Sequence, residues 1–187
     1  MKIFEMKVGS VLIFVFTIYW ADLRSQVIEK MDTTDIVEWK DNRRLTYNDF
    51  RALQDSTVLV YGFPAKAAAS TKIKAEFTYD SDNKLKVTVI NVFYKSESWM
   101  VVRKPSVLNH EQGHFDISEV FARRLRKEFK TLIDKGVEDE NLFQQQFNKC
   151  LADENEFQSA YDSETHHGFS DKEQILWDKR IKSELNK

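Results

Sequence analysis

One short pattern constrains this chain more than any other: His110-Glu111-Gln112-Gly113-His114. On a helix turning about 100° per residue, positions four apart share a face, so both imidazoles can grip one metal ion. Glu111 lies about 100° round from His110. That offset lets its carboxylate work on a water at the ion without becoming a ligand, which is the placement a general base needs. Random scatter of four His and fifteen Glu over 187 residues produces the pattern about 0.007 times per chain. Both histidines fall on an apolar stripe that continues through Ile117, Phe121 and Leu125. Buried imidazoles beside a carboxylate need partners, and a divalent ion, most naturally Zn2+, supplies them.

The flanking residues read as one long helix. Pro105 stops what precedes it, Ser106 is an N-cap candidate, helical spacing runs from Val107 to about Ile133, and Gly136 is a natural terminator. Gly113 inside that helix costs about 1 kcal/mol relative to Ala, which calls for a packing or access reason. Arg123, Arg124, Arg126 and Lys127 read as a solvated basic face near the helix end.

Ahead of this helix, Ile73–Tyr79 and Leu85–Phe93 alternate in hydrophobicity around the turn residues Asp80 to Asn83, the signature of a β-hairpin. A third short strand from about Trp99 to Val102 would complete a small sheet, and its edge is a place for an extended substrate to pair. Thr46 is an N-cap candidate for a short helix to about Gln54, and Ala67 to Thr71 form a small-residue patch that permits close backbone approach. Behind the long helix, a second helical region spans about Glu138 to Tyr161. A loop from Tyr161 to Gly168 follows it. A last amphipathic helix spans about Asp171 to Leu185, with Ile175, Trp177, Ile181 and Leu185 facing inward. The expected fold class is α+β: a zincin-like arrangement of a small antiparallel sheet, a long HExxH helix and further helices.

A catalytic zinc takes three protein ligands and an open position, and the long helix supplies two, His110 and His114. Glu119 and Asp116 lie about 180° and 240° round the wheel from His110 and point elsewhere. The third ligand is therefore expected from a distant segment, and the loop before Gly168 offers His167, His166, Glu164 and Asp162.

Length and composition fit one domain at residues 39–187, after a signal peptide at 1–25 and a polar linker at 26–38. The apolar run from Val8 to Ala21 is shorter than the roughly 20 residues that span a bilayer, and it suits a secretory signal; an uncleaved membrane anchor is the competing reading. Cys150 is the only cysteine, so no internal disulfide is expected in an exported, periplasmic or extracellular bacterial protein. A formal net charge of −2 gives no electrostatic case for nucleic acid.

The chain resembles the predicted secreted bacterial zinc proteases called domain of unknown function 922. The resemblance rests on His110-Glu111-Gln112-Gly113-His114-Phe115-Asp116-Ile117 and on Tyr161-Asp162-x-Glu164-Thr165-x-His167-Gly168, followed by Gln174 and Trp177. Weaker echoes are Leu45-Thr46-Tyr47-x-Asp49-Phe50, Ala69-Ser70-Thr71 and Ser98-Trp99, so the likeness covers residues 39 to 185. The family pattern places a single His before the Gly, which matches His167 and leaves His166 as an extra. What the resemblance implies is a metallopeptidase-like fold and activity on peptide or protein substrates. In that reading zinc sits on His110, His114 and His167, with Glu111 as the base. Tyr161 is a candidate donor to the developing oxyanion, with a core tyrosine as the alternative. The reading from a different class is an exported binding or scaffold protein whose metal is structural or catalytically silent. Metal-assisted hydrolysis of another amide or an ester is also compatible with the motif.

Overall fold

The computed structural model describes residues 34–82 and 84–187. The expected signal peptide and all but the end of the expected linker lie outside the described residues. The linker's end is not a linker. Ile36–Glu38 forms strand β1 and pairs antiparallel with β6 (Leu85–Tyr94), placing Val37 opposite Phe93. On its other side β6 pairs with β5 (Thr71–Tyr79) in the anticipated hairpin, so the main sheet runs β1-β6-β5. The Asp80 carboxylate closes the hairpin turn by accepting from the backbone N–H groups of Asp82 and Lys84, both at 3.0 Å.

Two smaller ladders complete the β structure. Leu59–Val60 (β2) and Phe63–Pro64 (β3) make a short hairpin whose tip, Tyr61-Gly62, takes positive φ at both residues, +52° and +81°. The third strand anticipated at Trp99 does form (β7, Trp99–Met100), but it pairs with Ala67–Ala68 (β4) rather than joining the main sheet. The small side chains of β4 carry little surface that could bury alone, and β7 supplies it through Trp99 and Met100, both buried. The short helix expected from Thr46 to Gln54 shrinks to one 3-10 turn, Tyr47–Asp49. There the Asp49 carboxylate accepts from the Thr46 N–H at 2.7 Å and hydroxyl at 2.8 Å.

Three helices follow: α1 (Pro105–Asp134), α2 (Glu140–Thr165) and α3 (Asp171–Leu185). Pro105 occupies the first turn of α1, where its missing N–H costs nothing, and the cap is Lys104 rather than Ser106. α1 touches the main sheet, α2 and α3, which explains why residues on more than one of its faces are buried. Its Ile117, Phe121, Leu125 and Phe129 meet Ile73 and Val89 of the sheet, Phe143 and Phe147 of α2, and Trp177 and Ile181 of α3. Ile175, expected to face inward, is instead more than half exposed, and Gln174 takes the buried position beside it.

The basic residues of α1 are not a free solvated face. Arg123 and Arg126 both bond the buried Glu119, and Arg126 also donates to the Val89 carbonyl at 2.8 Å. Arg124 pairs with Glu184 at 2.6 Å, and Lys127 donates to the Lys187 carbonyl at 2.7 Å. Together they clamp the end of α3 to α1. No helix among the described residues is long and apolar enough to cross a membrane.

Candidate metal centre

His110 and His114 project from one face of α1 with their Nε2 atoms 3.3 Å apart. The third donor arrives from the last turn of α2: Asp162 Oδ1 lies 3.1 Å from each Nε2. Two donors about 2.0–2.1 Å from a tetrahedral ion are separated by about 3.3 Å, so this triangle has the edges of one face of a zinc tetrahedron. Among the described residues it is the group of metal-ligating side chains that converges on one point.

The tautomers are set from behind. Gln158 of α2 donates through Nε2 to the His114 carbonyl, which leaves its Oε1 to accept from His114 Nδ1 at 2.7 Å. Gln174 of α3 donates through Nε2 to Tyr161 and Asp178, which leaves its Oε1 to accept from His110 Nδ1 at 3.1 Å. In its neutral form each imidazole then carries its proton on Nδ1 and directs an Nε2 lone pair at the cluster, the state a metal ligand requires.

Two converging lone pairs and a carboxylate call for a cation. Burial by itself depresses the His114 imidazolium, but the Asp162 hydrogen bond and the charges of Glu111 and Asp162 outweigh it and push its pKa up to about 9. Burial raises the Asp162 carboxyl, yet the hydrogen bonds and charges of His110 and His114 bring it well below the usual carboxylate range. The donor set therefore fits a divalent ion in chemistry and in spacing.

Glu111 stays off the triangle. Its carboxylate is buried, which raises its pKa; the two histidines and the backbone N–H of Ala69 pull it the other way, while Asp162 adds to the rise. Ala69 follows directly on β4, so the small-residue patch brings a backbone donor against the second residue of the motif.

His167 does not complete the cluster. α2 continues through Thr165 instead of ending near Tyr161, so Asp162 is helical, and His166, His167 and Gly168 follow in left-handed conformations. His167 Nδ1 reaches 3.5 Å from Asp162 Oδ1 but lies outside the group that converges with both histidines. Its ring packs edge-on to Tyr61 at the tip of the β2–β3 hairpin. His166 is exposed, and Glu164 accepts from Trp177 Nε1 at 2.9 Å. Asp162, one of four candidates in that stretch, is the donor that meets the histidines.

Tyr161 is fully buried and stacks on the His110 ring. Its hydroxyl donates to the His110 carbonyl of α1 at 3.0 Å and accepts from the Gln174 side chain of α3 at 2.7 Å, so it bonds both neighbouring helices. Gly113 makes this possible, since a Cβ there would overlap the phenol. Asp116 accepts from Trp39, Arg44 and Gln112 at 2.7–2.8 Å, away from the triangle, and Gln112 Oε1 accepts from the Leu45 N–H. These bonds fasten the segment around residues 39–50 to α1 behind the site.

The orienting glutamines carry a sequence signal. No Gly or Pro interrupts the chain between Gly136 and Gly168. Continuing α2 through that stretch puts Gln158, Tyr161, Asp162 and Thr165 on one face at i, i+3, i+4 and i+7.

Two clefts meet at the cluster. One, about 700 Å³, has walls that include Tyr61, Phe63, Ala67 and Phe169 and reaches His110 and Glu111. The other, about 510 Å³, has walls that include Thr71, Lys72, Glu154 and Gln158. Both include Ala69, His114 and Asp162 in their walls.

Neither the curated proteins nor the solved structures include a match to this chain. Residues 96–168 match the family model described as "Bacterial protein of unknown function (DUF922)", a stretch that contains His110, Glu111, His114, Tyr161, Asp162 and His167. The chain is therefore similar to that domain family over the three converging donors and Glu111.

Proposed function

We propose that this protein is a zinc-dependent peptidase acting outside the bacterial cytoplasm, exported by residues 1–25. The observation that carries the reading is the His110, His114 and Asp162 triangle, with its tautomers set and the buried carboxylate of Glu111 beside it in a cleft wall. A divalent ion held by those three residues supplies Lewis acidity, easing deprotonation of water and polarising a scissile carbonyl.

Glu111 takes the proton from the attacking water as its oxygen adds to the carbonyl carbon, and delivers that proton to the amide nitrogen as the C–N bond breaks. Burial favours the protonated form it holds between those two steps. Tyr161 acts through His110, bracing its ring and backbone, rather than as a donor to the oxyanion.

β4 supports a peptide as substrate. Val101 N–H donates to the Lys66 carbonyl, so in the antiparallel register Ala67 falls at a position whose own N–H and carbonyl point away from β7. Ala67, Ala68 and Ala69 all border the larger cleft, where an extended chain would find that edge.

The alternative, an exported scaffold closed around a structural ion, calls for a fourth protein donor, and His167 beside Asp162 is the nearest candidate. Bound zinc and hydrolysis of an unfolded protein, measured for wild type and Glu111→Gln, separate the two. The peptidase reading expects zinc in both proteins and hydrolysis in the wild type alone. Zinc in both with no hydrolysis by either favours the scaffold.

A further inference from the structure

The two clefts differ in chemistry. The larger is walled by Val58, Tyr61, Phe63 and Phe169, each more than 40% exposed, an apolar surface of the kind that monomers keep for contact with a ligand or partner. The smaller has an acid in its wall. Glu154 is 8% exposed, accepts from Ser118 Oγ at 2.5 Å, and has no cationic side chain paired with it among the described residues. Lys72, the one Lys or Arg bordering that cleft, is held by Glu97 at 2.9 Å.

A carboxylate buried without a cation is costly, and the hydrogen bond from Ser118 only partly offsets that cost. A basic side chain entering the smaller cleft would supply the missing charge. Because both clefts share Ala69, His114 and Asp162, a chain extended across the metal centre would occupy both at once.

We propose that Glu154 makes the cleft selective for polypeptides with a lysine or arginine on its side of the metal centre and a bulky apolar residue on the β2–β3 hairpin side. This rests on the peptidase reading for the identity of the ligand as a peptide, but not on catalysis. A purely structural role for Glu154, bracing α2 against Ser118 of α1, would need only its hydrogen-bond acceptance, which Gln retains.

The test uses zinc-loaded full-length Glu111→Gln protein, which binds without turnover, and two fluorescein-labelled peptide series, Ala-Ala-X-Phe-Ala-Ala and Ala-Ala-Phe-X-Ala-Ala. X is Lys, norleucine or Glu, so the apolar stem is kept while charge changes. Anisotropy titrations should show Lys binding about tenfold more tightly than norleucine in at least one series, with Glu weakest. Adding Glu154→Gln should bring the Lys to norleucine ratio close to one while zinc content and Tm stay unchanged. No Lys preference in the Glu111→Gln protein, a ratio unmoved by Glu154→Gln, or no binding of any peptide overturns the inference. Lys-selective binding by a wild type that cleaves none of these peptides sinks the peptidase reading and leaves the selectivity standing.

Discussion

The phenol of Tyr161 lies directly over Gly113, close enough that a Cβ at position 113 would overlap its oxygen and ring. This contact joins α2 to α1 in the middle of the histidine motif. From it the Tyr161 hydroxyl reaches the His110 carbonyl at 3.0 Å and its ring stacks on the His110 imidazole. A glycine that is unfavourable for an isolated helix is thus required by the packing of the metal centre.

Gly113→Ala should therefore destabilise the protein, although Ala is the better helix former by about 1 kcal/mol. Overpacking a rigid aromatic contact costs about 1–3 kcal/mol, more than the propensity gain on average. The expected result is a lower Tm and weaker zinc binding, read by thermal melts and zinc titration. A Tm above wild type would show that Tyr161 moves away freely.

The third donor is tested by a pair of substitutions. Asp162→Ala removes one corner of a triangle whose edges are 3.1, 3.1 and 3.3 Å, and should abolish stoichiometric zinc. His167→Ala should keep it. Metal analysis of the two purified proteins decides the matter, and the reverse pattern would return His167 to the coordination sphere.

The glutamines behind the histidines give a graded outcome. Gln158→Ala and Gln174→Ala each remove the acceptor that fixes one imidazole tautomer, and each should weaken zinc binding by about 10- to 100-fold without abolishing it. Competition with a chromophoric chelator measures this. Wild-type affinity in both variants would mean that the rings are oriented by packing alone.

The pH response of the metal-free protein follows from His114. Its pKa is raised from 6.5 to about 9 in the fold, against the effect of burial, by Asp162 and Glu111. A raised pKa contributes stability that is complete below 6.5 and is lost as pH climbs through about 9. Chelator-treated wild type should thus show a falling Tm across that window, and His114→Gln a smaller fall. Zinc affinity should rise over the same range, because the ion displaces the His114 proton. A metal-free Tm that rises from pH 6.5 to 9 would contradict the assigned charge state.

Much of this molecule is legible along the chain. The histidine pair, the hairpin of β5 and β6, and the extents of α1 and α3 follow from periodicity and from punctuation by Gly and Pro, which act locally. Other features were not legible. β1 is only three residues long and is held by pairing with β6 rather than by propensity, so it reads as linker. β7 pairs with a patch of alanines whose own sequence carries no strand signal. The basic run on α1 reads as solvated because its partners Glu184 and Lys187 are about 60 residues away in the chain.

What the sequence alone determined is the pair of imidazoles with a carboxylate between them, because spacing on a single helix is a local property. The choice of Asp162 over His167 belonged to the tertiary structure. It depends on where α2 ends and how it packs against α1: helical backbone through Thr165 aims Asp162 at the histidines, and the left-handed residues that follow turn His167 toward the β2–β3 hairpin. Which of several neighbouring donors reaches an ion is fixed by the meeting of two helices distant in sequence, and no residue pattern within either one encodes that meeting.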